Sequence, residues 1–239
     1  MKKVTITLTA LAACFFSNSY NRSHIIENKF ADSLLTILRD KTTDCTNFQE
    51  TTKKLSNYLA FETAQFLDFD NNPVQTPCGP FNQGIKLHKN PILISVYRAG
   101  LSLLDTFRTY FKGAPCGFFG IKRNEETAEA QMYYRNIPEI KEDDKIIILE
   151  TMLATGGSLS MVISELKKAG AKEENIIVAS VIAATQGIQA LEIKYPNITI
   201  ITVALDNELN EKKYIVPGLG DFGDRFFGND AEQNFEKIS

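Results

Sequence analysis

Three stretches of the chain carry residue types and spacings that could hold an anionic ligand and act on it. In Ile146 to Ser158, Ile-Ile-Ile-Leu-Glu-Thr-Met-Leu-Ala-Thr-Gly-Gly-Ser, four aliphatics lead into an acid and then into small and hydroxylated residues. The aliphatic run predicts a strand buried on both faces. Beyond the turn, Met161, Val162, Leu166 and Ala169 recur at helical spacing, with Lys167 and Lys168 ahead of a stop at Gly170. The helix therefore starts at about Gly157 or Ser158, and its unpaired backbone N–H groups point into the loop. Those donors, the positive dipole end and the hydroxyls of Thr155 and Ser158 suit a phosphate monoester. No Lys follows the glycines, so the loop is not a Walker A sequence, and the acid ahead of it suits hydroxyls near the phosphate. A ribose 5-phosphate fits; a turn that uses small residues only for packing is the plainer alternative.

The second stretch is Tyr97-Arg98-Ala99-Gly100, between the aliphatic run Ile92 to Val96 and the apolar helical segment Leu101 to Tyr110. An Arg at a strand-to-helix junction sits on the edge where α/β sheets place ligands, so Arg98 is a candidate anion contact, with a surface Arg as the alternative. The third is Tyr214-Ile-Val-Pro-Gly-Leu-Gly-Asp-Phe-Gly-Asp-Arg225. Gly218, Gly220 and Gly223 match G-x-G-x-x-G, but the segment after them is too short for the crossover helix, strand and distal acid of a dinucleotide site. The glycines instead let a loop backbone approach a flat ligand, whose carbonyls and N–H groups it can read without charged side chains.

The elements that must position these groups follow from the rest of the pattern. Ala31, Leu34, Leu35 and Leu38 predict a helix over Asn28 to Arg39, and Phe48, Leu55, Leu59 and Phe66 a second over about Thr46 to Phe66. Asp68 to Gly84, with Pro73, Pro77, Gly79 and Pro80, reads as a turn-rich excursion and a short hairpin arm. Strands are expected at Cys116 to Ile121, Asn175 to Ile182 and Ile198 to Val203, with a helix at Thr185 to Tyr195. That alternation gives an α/β fold whose central sheet is mostly parallel and flanked by helices. Taken alone, the charged, glycine-free run Lys122 to Thr127 is a solvated hairpin tip.

Glu150 to Ser158 resembles the ribose-phosphate loop of the type I phosphoribosyltransferases, and Met152 to Ser158 is similar to that of the uracil phosphoribosyltransferase family. Arg98 to Leu101, the run Arg123-Asn-Glu-Glu-Thr127 and the Tyr214 to Arg225 segment resemble the same family, in its order, over about Ile26 to Asn229. The resemblance implies a type I phosphoribosyltransferase-like fold with a C-terminal base-binding loop. It implies transfer of 5-phosphoribosyl from 5-phosphoribosyl 1-diphosphate (PRPP) to uracil. It assigns PRPP to Arg98, Arg123, Glu150, Thr151, Met152, Leu153, Ala154, Thr155, Gly156, Gly157, Ser158 and Asp221. It gives uracil to Ile215, Gly220, Asp221 and Phe222, and catalytic roles to Asp221, Arg123 and Glu150. Arg123 would close over the pyrophosphate, where a loop that excludes water protects a donor that hydrolysis would waste. Magnesium would enter on the donor, a homodimer or larger homo-oligomer is implied, and GTP is a candidate effector.

The chain departs from the family at three positions. Glu150 and Thr151 stand where the family usually has Asp then Pro, and Phe222 where it has Ala. The longer Glu150 would displace the grip on the ribose hydroxyls. The Phe222 ring, set beside the base loop, would change base preference or slow the enzyme. A same-fold enzyme for another base, or a non-catalytic nucleotide sensor or regulator, therefore stays open.

Composition narrows the partners. At 239 residues and 44% hydrophobic, the chain is long enough for one α/β domain, read as residues 26–239 behind a variable extension, residues 1–25. A net charge of −3 with no basic stripe argues against nucleic acid and anionic membranes. The four cysteines, Cys14, Cys45, Cys78 and Cys116, show no paired spacing, and His24 and His88 cannot build a zinc site by themselves. A reducing, cytoplasmic setting is expected. The alternative is an N-terminal signal, because Lys2 and Lys3 precede an apolar run from Val4 to Phe16 in which Leu11 to Cys14 resembles a lipoprotein processing site.

Overall fold

A computed structural model describes residues 22–123 and 130–229. The lipoprotein-like run Val4 to Phe16 and residues 124–127 of the charged loop lie outside the described residues. In chain order the elements are β1 (Ser23–Ile25), α1 (Lys29–Arg39), α2 (Cys45–Ala64), β2 (Phe69–Asn71), β3 (Val74–Thr76), β4 (Gly79–Phe81), β5 (Ile85–Leu87) and β6 (Ile92–Tyr97). There follow α3 (Leu101–Tyr110), β7 (Cys116–Arg123), β8 (Ala130–Asn136), β9 (Ile146–Leu153), α4 (Gly157–Lys168), β10 (Ile176–Ala184) and α5 (Thr185–Lys194). The chain continues through β11 (Thr199–Asp206), β12 (Glu208–Leu209), β13 (Ile215–Val216) and α6 (Phe222–Phe227).

Seven strands form one sheet in the order β1-β11-β10-β9-β6-β7-β8. Every neighbour pair is parallel except β7 with β8. The sheet takes in Ser23 to Ile25 as its edge strand, so the folded unit begins ahead of the boundary expected at residue 26. The excursion is a pair of small antiparallel ribbons, β2 with β5 and β3 with β4, as the turn residues implied.

The strands are buried because helices cover both faces. Along β9, Ile147 and Leu149 join a cluster with Leu34, Leu38, Phe48, Leu55, Leu59 and Phe107 of α1, α2 and α3. Ile146 and Ile148, one residue out of phase, join Val162, Ile163 and Leu166 of α4 and Ile188 and Leu191 of α5. All nine residues of β10 are buried, which makes its run continuously apolar apart from Ser180. α1 keeps Ala31, Leu34, Leu35 and Leu38 inward, and its first turn is closed by Asn28, whose side chain accepts from the N–H groups of Phe30 (2.9 Å) and Ala31 (3.1 Å). Among the described residues, no helix is long and apolar enough to cross a membrane.

Candidate active site

Three adjacent parallel strands, β10, β9 and β6, end along one edge, and each leads at once into a helix. The cap positions of those helices are Ala184 (α5), Gly156 (α4) and Gly100 (α3), none with a side-chain cap, whereas α2, like α1, is capped by an acid or amide, here Asp44. The first-turn N–H groups of α4 are therefore offered to whatever occupies the edge. Gly156 is left-handed (φ 78°), which bends the chain from strand to helix within three residues. Gly100 is needed for space: a Cβ there would lie 2.4 Å from the Leu149 carbonyl oxygen.

A hollow of about 310 Å³ sits over this edge, lined by Glu150, residues 152–159, Ala130 and Asp221. The strand runs further than its aliphatic core suggested, through Glu150 to Leu153. Glu150 and Met152 are half-buried where they meet the hollow, while Thr151 and Leu153 are buried at its inner margin. The loop proper is only residues 154–156. Thr155 and Gly157 are exposed at the mouth, and the Thr155 hydroxyl accepts a long bond from the Gly157 N–H (3.4 Å). Burial pushes the Glu150 carboxyl up to about 7, against the opposing pull of the Met152 and Thr151 N–H groups.

A second hollow of about 350 Å³ continues from the first, sharing Glu150, Met152, Ala154 and Asp221 as a common wall. Its far side is the glycine loop: Ile215, Gly220, Asp221, Phe222 and Gly223, with Lys213, Tyr214, Ala99 and Thr151. Gly218 and Gly220 are left-handed (φ 59° and 81°), and a Cβ on Gly218 would lie 2.1 Å from the Ile215 carbonyl oxygen. Asp221 caps α6, accepting the Asp224 N–H at 2.9 Å. Thr155 and Asp221 thus share one hollow.

Two expectations change. The Phe222 ring does not stand in the second hollow: the residue is 1% exposed, with its ring centroid 5.0 Å from that of Phe48 in the core. A ring packed on Phe48 in the core gives no steric reason to expect altered base preference. Arg98 does not line either hollow; it is half-exposed and pairs with Asp224 at 2.7 Å, beside the rim residues Ala99 and Gly223. An incoming anion there must share or displace that partner. Arg123 ends β7 opposite Ala130, a wall residue of the first hollow, and its side chain is outside the description.

Sequence reasoning missed Ala130, Leu159, Ala99, Lys213 and Gly223 as lining residues, and Gly187 as a support. A Cβ on Gly187 would lie 2.4 Å from the Ala154 carbonyl oxygen, so α5 packs its backbone directly on the loop of residues 154–156. A glycine inside a helical pattern was the available signal. Among the described residues, no group of three or more His, Cys, Asp or Glu is arranged to hold a metal ion. Cys45, Cys78 and Cys116 are free thiols.

Comparison with known proteins agrees with this geometry. The family model described as uracil phosphoribosyltransferase matches residues 25–229. Proteins named uracil phosphoribosyltransferase from Limosilactobacillus reuteri (37% identical, 85% of this chain, 97% of the relative) and Malacoplasma penetrans (38% identical, 85% and 98%) each align over 204 residues. A solved structure of an Aquifex aeolicus protein superposes with a TM-score of 0.78 at 32% identity, covering 86% of this chain and 97% of its own. An adenine phosphoribosyl transferase from Trypanosoma brucei shares the fold at TM-score 0.52 and 10% identity, covering 77% of this chain and 84% of its own. With the match spanning nearly all of the described chain and the site in the family's order, this protein belongs to the uracil phosphoribosyltransferase family.

Proposed function

We propose that the chain transfers 5-phosphoribosyl from PRPP to N1 of uracil, giving UMP and pyrophosphate. The observation that carries this is the common wall of Glu150, Met152, Ala154 and Asp221 between two hollows, one ending at an uncapped helix start and the other at a glycine-bent backbone. That is the layout for a sugar phosphate at one end, a flat base at the other and the bond to be exchanged between two carboxylates.

In this reading the N–H groups at the start of α4 hold the 5-phosphate, and Thr155 and Ser158 add hydroxyls. Glu150 accepts from the ribose hydroxyls, and its longer side chain sets them further from β9 than an Asp would. The main chain of Ile215, Gly220 and Phe222 reads the edge of uracil. Departure of pyrophosphate runs ahead of attack by N1, so positive charge grows on the ribose, and Glu150 and Asp221 stabilise it from fixed positions. The C1–N1 bond replaces the bond to pyrophosphate, and the N1 proton passes to the departing pyrophosphate or to water. Arg98 and Arg123 stabilise the charge growing on the leaving group. Magnesium belongs to the donor, where it screens the pyrophosphate charge, and the carboxylates on the common wall are the groups that would meet it. GTP as effector, a homo-oligomeric assembly and a cytoplasmic setting complete the proposal; the free thiols support the last.

The experiment is to mix purified protein, uracil, PRPP and magnesium and to measure UMP. Product is expected, with Arg98→Ala slowing it on the order of a hundredfold. No UMP, or an Arg98→Ala variant as fast as the parent, overturns the reading.

A further inference from the structure

The glycine loop is thin. Gly220 lines the base hollow in front and also a hollow of about 440 Å³ behind, which is walled by Arg39, Lys41, Pro217, Leu219 and Arg225. Ile215, Leu219 and Phe222 anchor the loop in the core, but the glycines between them have no side chain to anchor with. What fixes the main chain there is a set of ionic and backbone bonds.

Arg39, the last residue of α1, and Asp206, the last of β11, form a two-point pair: Nη2 to Oδ1 at 2.7 Å and Nη1 to Oδ2 at 2.8 Å. The same two groups grip both sides of Gly218. Arg39 Nη1 donates to the Gly218 carbonyl oxygen at 2.7 Å, and Asp206 Oδ2 accepts the Gly218 N–H at 2.8 Å. Arg225 completes the clamp. It donates to the Leu219 carbonyl at 2.7 Å, to the Asp40 carbonyl at 2.6 Å and to the Leu38 carbonyl, with its guanidinium 4.5 Å over the Phe48 ring. The carbonyls at the end of α1 carry the negative end of the helix dipole, so the guanidinium is held where its charge is favoured.

We infer that Arg39 and Asp206 are positioning residues for base recognition: by holding Gly218 they set the height at which Gly220, two residues on, presents its main chain to the pyrimidine, without touching it. This rests on the base being read by that loop, as proposed above. Asp206 is 6% exposed, so its charge is held by Arg39 and the Gly218 N–H rather than by water. The planar two-point geometry is one that an ammonium cannot reproduce.

The test is a set of three variants, Arg39→Met, Arg39→Lys and Asp206→Asn, read by steady-state kinetics and by amide hydrogen exchange. Arg39→Met is expected to raise KM for uracil about tenfold or more, the scale expected when a binding group is misplaced by a fraction of an ångström, with kcat and KM for PRPP held. Arg39→Lys, which keeps the charge and one bond, falls between it and the parent, and its fold is the safer one. In all three, the Gly218 amide exchanges faster while the amides of β9 and α4 keep the parent's protection. The inference is overturned if KM for uracil stays at the parent value, if both KM values rise together, or if Gly218 keeps its protection. Should the parent make no UMP, the proposed reaction fails, and the exchange of Gly218 still decides the clamp.

Discussion

At the phosphate end of the site, Glu150 and residues 152–159 come from one run of chain, and among the described residues only Ala130 and Asp221 reach the hollow from elsewhere. At the base end, Gly218 in the loop from Ile215 to Asp221 is gripped by Arg39, 179 residues away, and by Arg39's partner Asp206, while Arg225, which holds the Leu219 carbonyl, is itself tied to Leu38, 187 residues away. The first end is a strand running into a helix, so its local sequence supplies geometry and donors together. The second borrows its geometry from a remote helix end. A change at the phosphate end should therefore act on the donor, and a change behind the base loop on the base or on the fold.

The largest test of that division is Phe222→Ala, which makes the chain resemble its family at this position. Because the ring fills the core between Phe48 and Phe226, its loss should cost about 3–5 kcal/mol in urea unfolding. The ratio of kcat/KM for uracil over cytosine in the folded protein should hold. A changed ratio with little loss of stability would put the ring in the hollow and break the comparison.

Glu150→Gln comes next. The variant should lose on the order of a hundredfold in kcat/KM for PRPP, because the fixed negative charge on the common wall is gone. In the parent that parameter should climb as pH rises through about 7 and then level, since the ionised form is the one that accepts from ribose hydroxyls; the Gln variant should lack this limb. Stability runs the other way. An acid whose pKa is raised from 4.5 to about 7 binds its proton more tightly when folded, so the parent loses stability as pH rises across that window. At pH 8, Glu150→Gln should be the more stable by up to about 3 kcal/mol, a gain that vanishes near pH 4.5. Equal unfolding midpoints at both pH values would show that Glu150 is solvated.

Gly187→Ala asks whether the phosphate end is as local as it looks. A methyl 2.4 Å from the Ala154 carbonyl oxygen must push the loop or α5 aside. KM for PRPP should rise about tenfold, with KM for uracil held. No change in either would show that α5 gives way and that the phosphate loop stands alone.

The same contrast explains what the sequence made legible. Periodicity placed α1, α3 and the central strands to within a few residues, because Leu34, Leu35 and Leu38, or Ile146 to Leu149, declare their burial locally. It stopped β9 at Leu149, since Glu150 and Thr151 read as loop, whereas ladder bonds to β10 carry the strand on to Leu153. It put Phe222 in the ligand's path because a neighbour in sequence was taken as a neighbour of the base; the direction of a side chain on a helix's first turn depends on what packs there, here Phe48 of α2. Arg39 and Asp206 could not be found at all, since nothing near either residue points to Gly218.

The smallest expected effect concerns Lys213, on the wall of the base hollow. Among the described residues it is the one non-glycine with a left-handed backbone, φ 64°. The turn that forces this is pinned by Asn210, which accepts the Lys213 N–H at 2.8 Å on its carbonyl and the Tyr214 N–H at 2.9 Å on its side chain. A left-handed lysine costs about 1 kcal/mol or somewhat more, and glycine returns part of that relief through its freer unfolded chain. Lys213→Gly should therefore stabilise by about 0.5 kcal/mol in urea unfolding. Lys213→Asn, which tolerates the same backbone with less unfolded freedom, should gain at least as much. If the base is read by main chain alone, neither variant moves KM for uracil. A rise in KM common to both would mean that the ammonium also senses the pyrimidine, and the base end would then rely on a charged side chain as the phosphate end does on Glu150.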